Sequence, residues 1–153
     1  MLTAKNVAEY FLVKTEPDCE EFISNLKLQK LLYYAQGFFL AIYDKLLFDD
    51  PIEAWTHGPV VRELYHEYKE SGSKAIDPPE RIDLSIYDEK TTDLLDEVWQ
   101  VYGQYSAYKL RNLTHEEPPW KNAYDKMPGS EISRDSMKEY FKTQLVDDQE
   151  QTS

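Results

Sequence analysis

Residues 26–43 read Leu-Lys-Leu-Gln-Lys-Leu-Leu-Tyr-Tyr-Ala-Gln-Gly-Phe-Phe-Leu-Ala-Ile-Tyr. Placed on a helix at about 100° per residue, the run carries an apolar arc of roughly 120° on one side. That arc is formed by Leu28, Leu31, Leu32, Ala35, Phe38, Phe39 and Ile42. The other side mixes Leu26, Tyr33, Tyr34 and Leu40 with Gln29, Lys30 and Gln36. A helix of this kind is usually packed between neighbours, so the run predicts the central helix of a compact domain.

A turn and a short strand are predicted to follow this helix. Asp49-Asp50-Pro51 is a turn signal, and residues 52–56 can form one strand. Alternate side chains of a strand face opposite ways, so Glu53, Trp55 and His57 share a side. Gly58-Pro59 is expected to open the next helix, because proline is preorganised for the first helical position and glycine allows a sharp turn before it.

These residues carry a resemblance to a known family. The motifs Leu-Gln-Lys-Leu-Leu-Tyr-Tyr-Ala-Gln-Gly at 28–37 and Ile-Glu-Ala-Trp-Thr-His-Gly-Pro-Val-Val at 52–61 resemble the Panacea domain of SocA-like and GepA-like phage-associated antitoxins. The pattern continues at Thr114-His115-Glu116 and Pro119-Trp120, so that the resemblance covers roughly residues 3–145. It implies a largely α-helical fold and a toxin partner that is encoded beside the antitoxin.

The rest of the chain predicts further helices of ordinary length. Thr91 or Thr92 is expected to cap one helix, with Gly103 as its left-handed stop, and Pro118-Pro119 is expected to end the helical segment before it. The sequence therefore predicts a mainly α, single-domain bundle of about six to seven helices, with a small extended or two-stranded element near residues 46–57. Residues 1–146 form the predicted domain, and residues 147–153 are expected to be a polar, disordered tail.

The charge balance restricts the class of partner. Seventeen basic and twenty-nine acidic residues give a net charge of −12, which repels phosphates, so direct binding to nucleic acid is not expected. An acidic surface favours association with a basic protein, although a solvated, soluble surface has the same composition.

The compartment is predicted from cysteine usage and hydropathy. The chain has one cysteine, Cys19, which rules out an internal disulfide and is consistent with a reducing cytoplasm. Its acidic neighbours disfavour a thiolate, so Cys19 is not expected to be catalytic. The sequence has neither the apolar core of a signal peptide nor a run of about 20 apolar residues, so we expect a cytoplasmic protein without a membrane partner.

Catalytic and metal-binding patterns are weak. The three histidines, His57, His66 and His115, have none of the spacings at which two of them share a helix face, and no cysteine pair accompanies them. We therefore expect no metal, no cofactor and no catalytic residues, and a protein that is not an enzyme. The alternative to a metal-binding role for His66 is an ion pair with Glu63 or Glu70. The alternative for His115 is a hydrogen bond that closes a helix end.

The aromatic turn is the best candidate for binding a partner, because aromatic side chains often anchor protein interfaces. The predicted surface consists of Glu53, Trp55, His57, Gly58, Pro59 and Val60, joined by His115, Glu116 and Trp120 if the fold brings them together. The alternative is that Trp55 and Trp120 simply fill the core.

Three functions follow from these observations. The first is an antitoxin that neutralises a cognate toxin by direct protein–protein binding. The second, also implied by the resemblance, is a proteolytic adaptor that delivers a toxin to a protease. The third belongs to another class: a phage-derived metal-dependent hydrolase or nucleic-acid-processing factor.

Overall fold

The computed structural model describes residues 1–15 and 23–152, with side chains up to residue 145. Cys19 lies outside the described residues. The described helices and strands are α1 (Ala4–Leu12), α2 (Asn25–Tyr43), β1 (Glu53–Trp55), β2 (Gly58–Val60), α3 (Arg62–Glu67), α4 (Glu89–Tyr102), α5 (Ala107–His115), α6 (Pro118–Lys126) and α7 (Arg134–Thr152). Single turns of 3-10 helix lie at Lys69–Ser71 and Leu84–Ile86. The predicted fold class, mainly α with a small two-stranded element, is confirmed.

Helix α2 is the centre of the molecule, as predicted. The Ser24 hydroxyl accepts a hydrogen bond from the Lys27 amide and caps its start, and Asp44 ends it in the left-handed conformation at φ 55°. The helix contacts α1, α4, α5, α7 and β2, so nearly all of its surface is buried. Ile42 is an exception to the predicted core arc: its side chain is 44 % exposed, because it lines an open groove near the end of the helix.

Two buried polar side chains of α2 form hydrogen bonds with the backbone near the strands. Gln36 donates to the Phe48 carbonyl at 2.7 Å and accepts from the Leu47 amide at 2.8 Å. Gln29 accepts from the Val61 amide at 2.9 Å. These amides supply the hydrogen bonds that the irregular backbone around the strands would otherwise lack.

The hairpin differs from the prediction at Gly58-Pro59. Both residues belong to β2, which pairs antiparallel with β1 in the register Glu53↔Val60, and α3 begins only at Arg62. Two features favour the strand over a helix start at Pro59. Gly58 adopts φ 115°, which suits a reversal of the chain, and the amide of Val61 is already bonded to Gln29.

The outer edge of β1 is also covered. The Ala54 amide donates to the Ser130 carbonyl at 2.8 Å, and the Ile132 amide donates to the Ile52 carbonyl at 2.7 Å. The backbone of β1 is therefore bonded on both sides, which holds the hairpin firmly against the helices.

Three predictions about helix ends were wrong. Asp88, and neither Thr91 nor Thr92, caps α4, because its carboxylate accepts from the Thr91 amide at 2.9 Å. Gly103 ends α4 at φ −63°, in the right-handed region; it is required for space, since a Cβ there would lie 2.4 Å from the Trp99 ring. Pro118-Pro119 starts α6, because proline at the first helical position loses no hydrogen bond.

The packing of helix α7 along α2 includes the aromatic side chain of Phe141. Phe141 is buried, and its ring centroid lies 4.8 Å from that of Phe38 and 5.4 Å from that of Tyr33. Gly37 provides the space: a Cβ on it would lie 2.1 Å from the Phe141 ring. The division into a domain at 1–146 and a tail at 147–153 stays a prediction. Within the described residues, no helix combines the length and apolarity needed to cross a bilayer.

Candidate functional site

A cluster of aromatic side chains surrounds the hairpin. Trp55 is half-buried, and its ring lies 5.1 Å from that of Tyr65 and 6.3 Å from that of His66. Its indole N–H donates to the Glu53 carboxylate at 2.9 Å, and the other oxygen of that carboxylate lies 3.9 Å from Arg62. Trp55 is therefore held in one orientation with part of its ring at the surface. We call Glu53, Trp55, His57, Tyr65 and His66 the hairpin surface.

The fold brings the second tryptophan to the same place. Trp120 is 7 % exposed and donates its indole N–H to the Trp55 carbonyl at 2.8 Å. Its ring is stacked between His115, at 4.1 Å, and Tyr124, at 4.6 Å. Trp120 thus fixes the hairpin from beneath, while Trp55 remains partly accessible.

The nine predicted site residues divide by accessibility. Those with accessible side chains are Glu53, Trp55, His57, His115 and Glu116. Those that are buried are Gly58, Pro59, Val60 and Trp120. The buried residues support the surface, whereas the accessible ones can be touched by a second molecule.

The histidines do not converge on a metal site. Across residues 1–15 and 23–152, no group of three or more His, Cys, Asp or Glu side chains is arranged to hold a metal ion. His57 accepts a hydrogen bond from the Arg111 guanidinium at 3.3 Å, and His66 lies beside Tyr65. His115 is bonded to the Thr56 backbone, and burial together with the nearby Arg111 charge lowers its pKa.

Lys30 is a residue of this site that the sequence analysis left without a role. Its side chain is 0 % exposed, and its Nζ has no hydrogen-bond partner. Burial, with a smaller contribution from the Arg111 charge, lowers the pKa of Lys30 to about 7. Gly58 lies directly over it, since a Cβ there would lie 2.6 Å from Lys30 Cε. The sequence feature that could have indicated its burial is the position of a lysine in a helix that is apolar on nearly all sides.

A second buried ionisable group was also missed. The Glu117 carboxylate accepts from the Tyr33 and Tyr34 hydroxyls, each at 2.9 Å, and Tyr140 bonds to it as well. Burial raises the pKa of Glu117 to about 7, although the three hydroxyls act in the opposite direction. This network joins α2, α6 and α7, and its position beneath the surface gives it a structural role.

An apolar groove lies on another side of the molecule. It has a volume of about 240 Å³ and runs between α2, α4 and α7. Its apolar lining is Phe38, Ile42, Leu94, Val98, Val101, Tyr102 and Leu145. Ile42 and Val101 are 44 % and 41 % exposed, so the groove is a second surface that a partner can reach.

Comparison with known proteins identifies the class. Residues 28–121, from α2 into α6, match the family described as "Antitoxin SocA-like, Panacea domain". This match covers more than half of the chain and includes the whole hairpin, so the chain belongs to the Panacea-domain family of SocA-like proteins, as the motifs indicated.

One curated relative is the Antitoxin SocA of Caulobacter vibrioides (strain NA1000 / CB15N). The two sequences are 32 % identical over 109 residues, which is 64 % of this chain and 58 % of the relative. The matched region is therefore less than two thirds of the relative's length. No solved structure matches the chain significantly.

Proposed function

We propose that this protein is an antitoxin that neutralises a cognate toxin by direct contact in the cytoplasm, without catalysing a reaction. The observation that carries the proposal is family membership, together with the 32 % identity to a protein named Antitoxin SocA. Because the matched residues include the hairpin, the proposed contact site lies within the part of the chain that is shared with the family.

The hairpin surface has the features of a protein-binding site. Trp55 and Tyr65 are half-buried aromatic side chains in ring contact, and residues of this type often supply most of the binding free energy at an interface. The hydrogen bond from Trp55 to Glu53 and the bond from Trp120 to the Trp55 backbone fix the surface before the partner arrives. Less side-chain freedom is then lost on binding.

Charge would contribute mainly to the rate of association. The chain has a net charge of −12, so a toxin with a basic surface would be attracted over several ångströms before contact. The proposed partner is therefore a basic protein, and no nucleic acid or membrane partner is proposed.

The test is co-expression with the product of the adjacent gene. We expect the adjacent product to arrest growth when it is expressed alone, and this chain to restore growth and to co-purify with it in a stable complex. Failure both to restore growth and to co-purify would contradict the proposal.

The same cells distinguish direct inhibition from delivery to a protease. Under direct inhibition, the half-life of the toxin is the same with and without this protein. A toxin that is degraded faster when this protein is present would instead support the adaptor function.

A further inference from the structure

Four basic side chains lie near one another around the hairpin turn. Lys30 comes from α2, Arg111 and His115 come from α5, and His57 lies in the turn between the strands. The Arg111 guanidinium donates to His57 Nδ1 at 3.3 Å, and its charge acts on both Lys30 and His115. We call these four residues the basic cluster.

No acidic side chain balances the cluster in the part of the chain that the structure describes. The ion pairs there involve Lys5, Lys14, Arg62, Arg134 and Lys138. Burial and Arg111 both lower the pKa of Lys30, and no carboxylate raises it. Such an arrangement is unexpected in a chain with twenty-nine acidic residues, because a carboxylate could easily have been placed nearby.

The cluster also contains unpartnered polar atoms. Among the described side chains, the buried nitrogen and oxygen atoms that lack a hydrogen-bond partner are Lys30 Nζ and His115 Nε2. Buried polar atoms in native proteins nearly always have partners, and an exception points to a bound water, ion or functional role. Here both atoms belong to the same group of basic residues.

We propose that Lys30, Arg111, His57 and His115 form a binding site for one phosphate-class oxyanion. An ammonium supplies up to three hydrogen-bond donors and a guanidinium five, which is more than the two oxygens of a carboxylate can use. The combined positive charge of lysine and arginine matches a dianion, and arginine is well suited to phosphate because of its planar set of donors.

His115 adds a reason to prefer phosphate to carboxylate. Its ring is bonded to the Thr56 backbone, and its Nε2 is left without a partner. In the neutral imidazole that a lowered pKa favours, this nitrogen is an acceptor. Monohydrogen phosphate offers acceptor oxygens for Lys30 and a hydroxyl that donates to His115, whereas an ionised carboxylate has no proton to donate.

An anion would enter past the accessible side chains of the cluster. His57 is exposed and Arg111 is partly exposed, while Lys30 forms the floor. The bond between Arg111 and His57 is long for a hydrogen bond, at 3.3 Å, so exchanging it for bonds to an oxyanion costs little.

The test is calorimetric titration of the full chain with inorganic phosphate at low ionic strength and pH 7. We expect saturable binding with one phosphate per chain. Affinity should fall at least tenfold in Lys30→Met and should also fall in Arg111→Gln. Lys109→Gln is the matched control, because Lys109 is an exposed cation on the same helix as Arg111 and its ammonium lies over the Tyr105 ring. The phosphate affinity of this variant should equal that of the wild type.

Three outcomes would overturn the proposal. They are the absence of saturable binding at tens of millimolar phosphate, equal binding by folded Lys30→Met, and binding of acetate as tightly as phosphate. Circular dichroism of each variant establishes that it is folded. The experiment needs no toxin, so its failure leaves the proposed antitoxin function standing, and failure of growth rescue would leave the phosphate site standing.

Discussion

Replacing Phe141 with Ala should lower the free energy of unfolding by about 3–5 kcal/mol, the usual range for a fully buried phenylalanine. The side chain is 1 % exposed and contacts the rings of Tyr33, Tyr34 and Phe38, so truncation removes these ring contacts between α7 and α2. Urea denaturation followed by circular dichroism measures the loss. Tyr108→Ala, at a side chain that is 70 % exposed, is the control and should change stability by less than about 0.5 kcal/mol.

A double-mutant cycle tests the geometry of this contact. Gly37→Ala alone should destabilise the protein, because its Cβ would lie 2.1 Å from the Phe141 ring. In the Phe141→Ala background the clash is absent, and the same substitution should become neutral or stabilising, since alanine favours a helix over glycine by about 1 kcal/mol. Equal effects of Gly37→Ala in the two backgrounds would contradict the described packing.

Replacing Lys30 with Met should raise the free energy of unfolding at pH 7 by about 2–4 kcal/mol. The ammonium is buried without a partner, and its pKa is lowered from 10.5 to about 7, which expresses the cost of keeping it charged. Methionine has a similar length and no charge, so it can fill the same space beneath Gly58. Urea denaturation of both proteins gives the difference, and a less stable Met variant at pH 7 would contradict the account.

The pH dependence of this gain in stability tests whether the charge of Lys30 is its cause. Between pH 7 and 10.5 the unfolded chain binds a proton at Lys30 that the folded chain does not, so the stability of the wild type rises with pH in this window. The gain from Lys30→Met is therefore complete at and below pH 7 and shrinks toward pH 10. Denaturation at pH 6.5 and pH 9.5 should show this decrease, and an equal gain at both values would mean that the lysine charge is not responsible.

The sequence predicts α2 and β1 because their signals are local. Residues 26–43 carry a broad apolar arc at helical spacing, which predicts a buried helix, and residues 52–56 have the alternation of a strand. Gly58-Pro59 was wrongly predicted to open a helix, because proline suits both a first helical turn and an edge of a strand. Pairing with β1 and the hydrogen bond from Val61 to Gln29 favour the strand, and both join residues that are not neighbours in the chain.

The site could be predicted only in outline. The motifs indicated that Trp55, His115 and Trp120 belong to one family pattern, but the bond from Trp120 to the Trp55 carbonyl spans 65 residues and has no local signal. The sequence also did not predict which of the two tryptophans would be accessible. The burial of Lys30 was not predicted, because helical periodicity only separates apolar from polar positions. It cannot distinguish a lysine in solvent from one that is covered by a hairpin.

The affinity of the purified protein for the proposed toxin, measured with variants on two surfaces, tests the central claim most directly. Trp55→Ala should weaken binding by about thirtyfold or more, equivalent to about 2 kcal/mol, as expected when an interface anchor is lost. Val101→Ser, in the groove between α2, α4 and α7, should leave the dissociation constant unchanged. His66→Glu, at an exposed side chain beside Trp55, should weaken binding without disturbing the fold. Full affinity in Trp55→Ala and His66→Glu, with loss in Val101→Ser, would contradict the proposal that the hairpin surface binds the toxin.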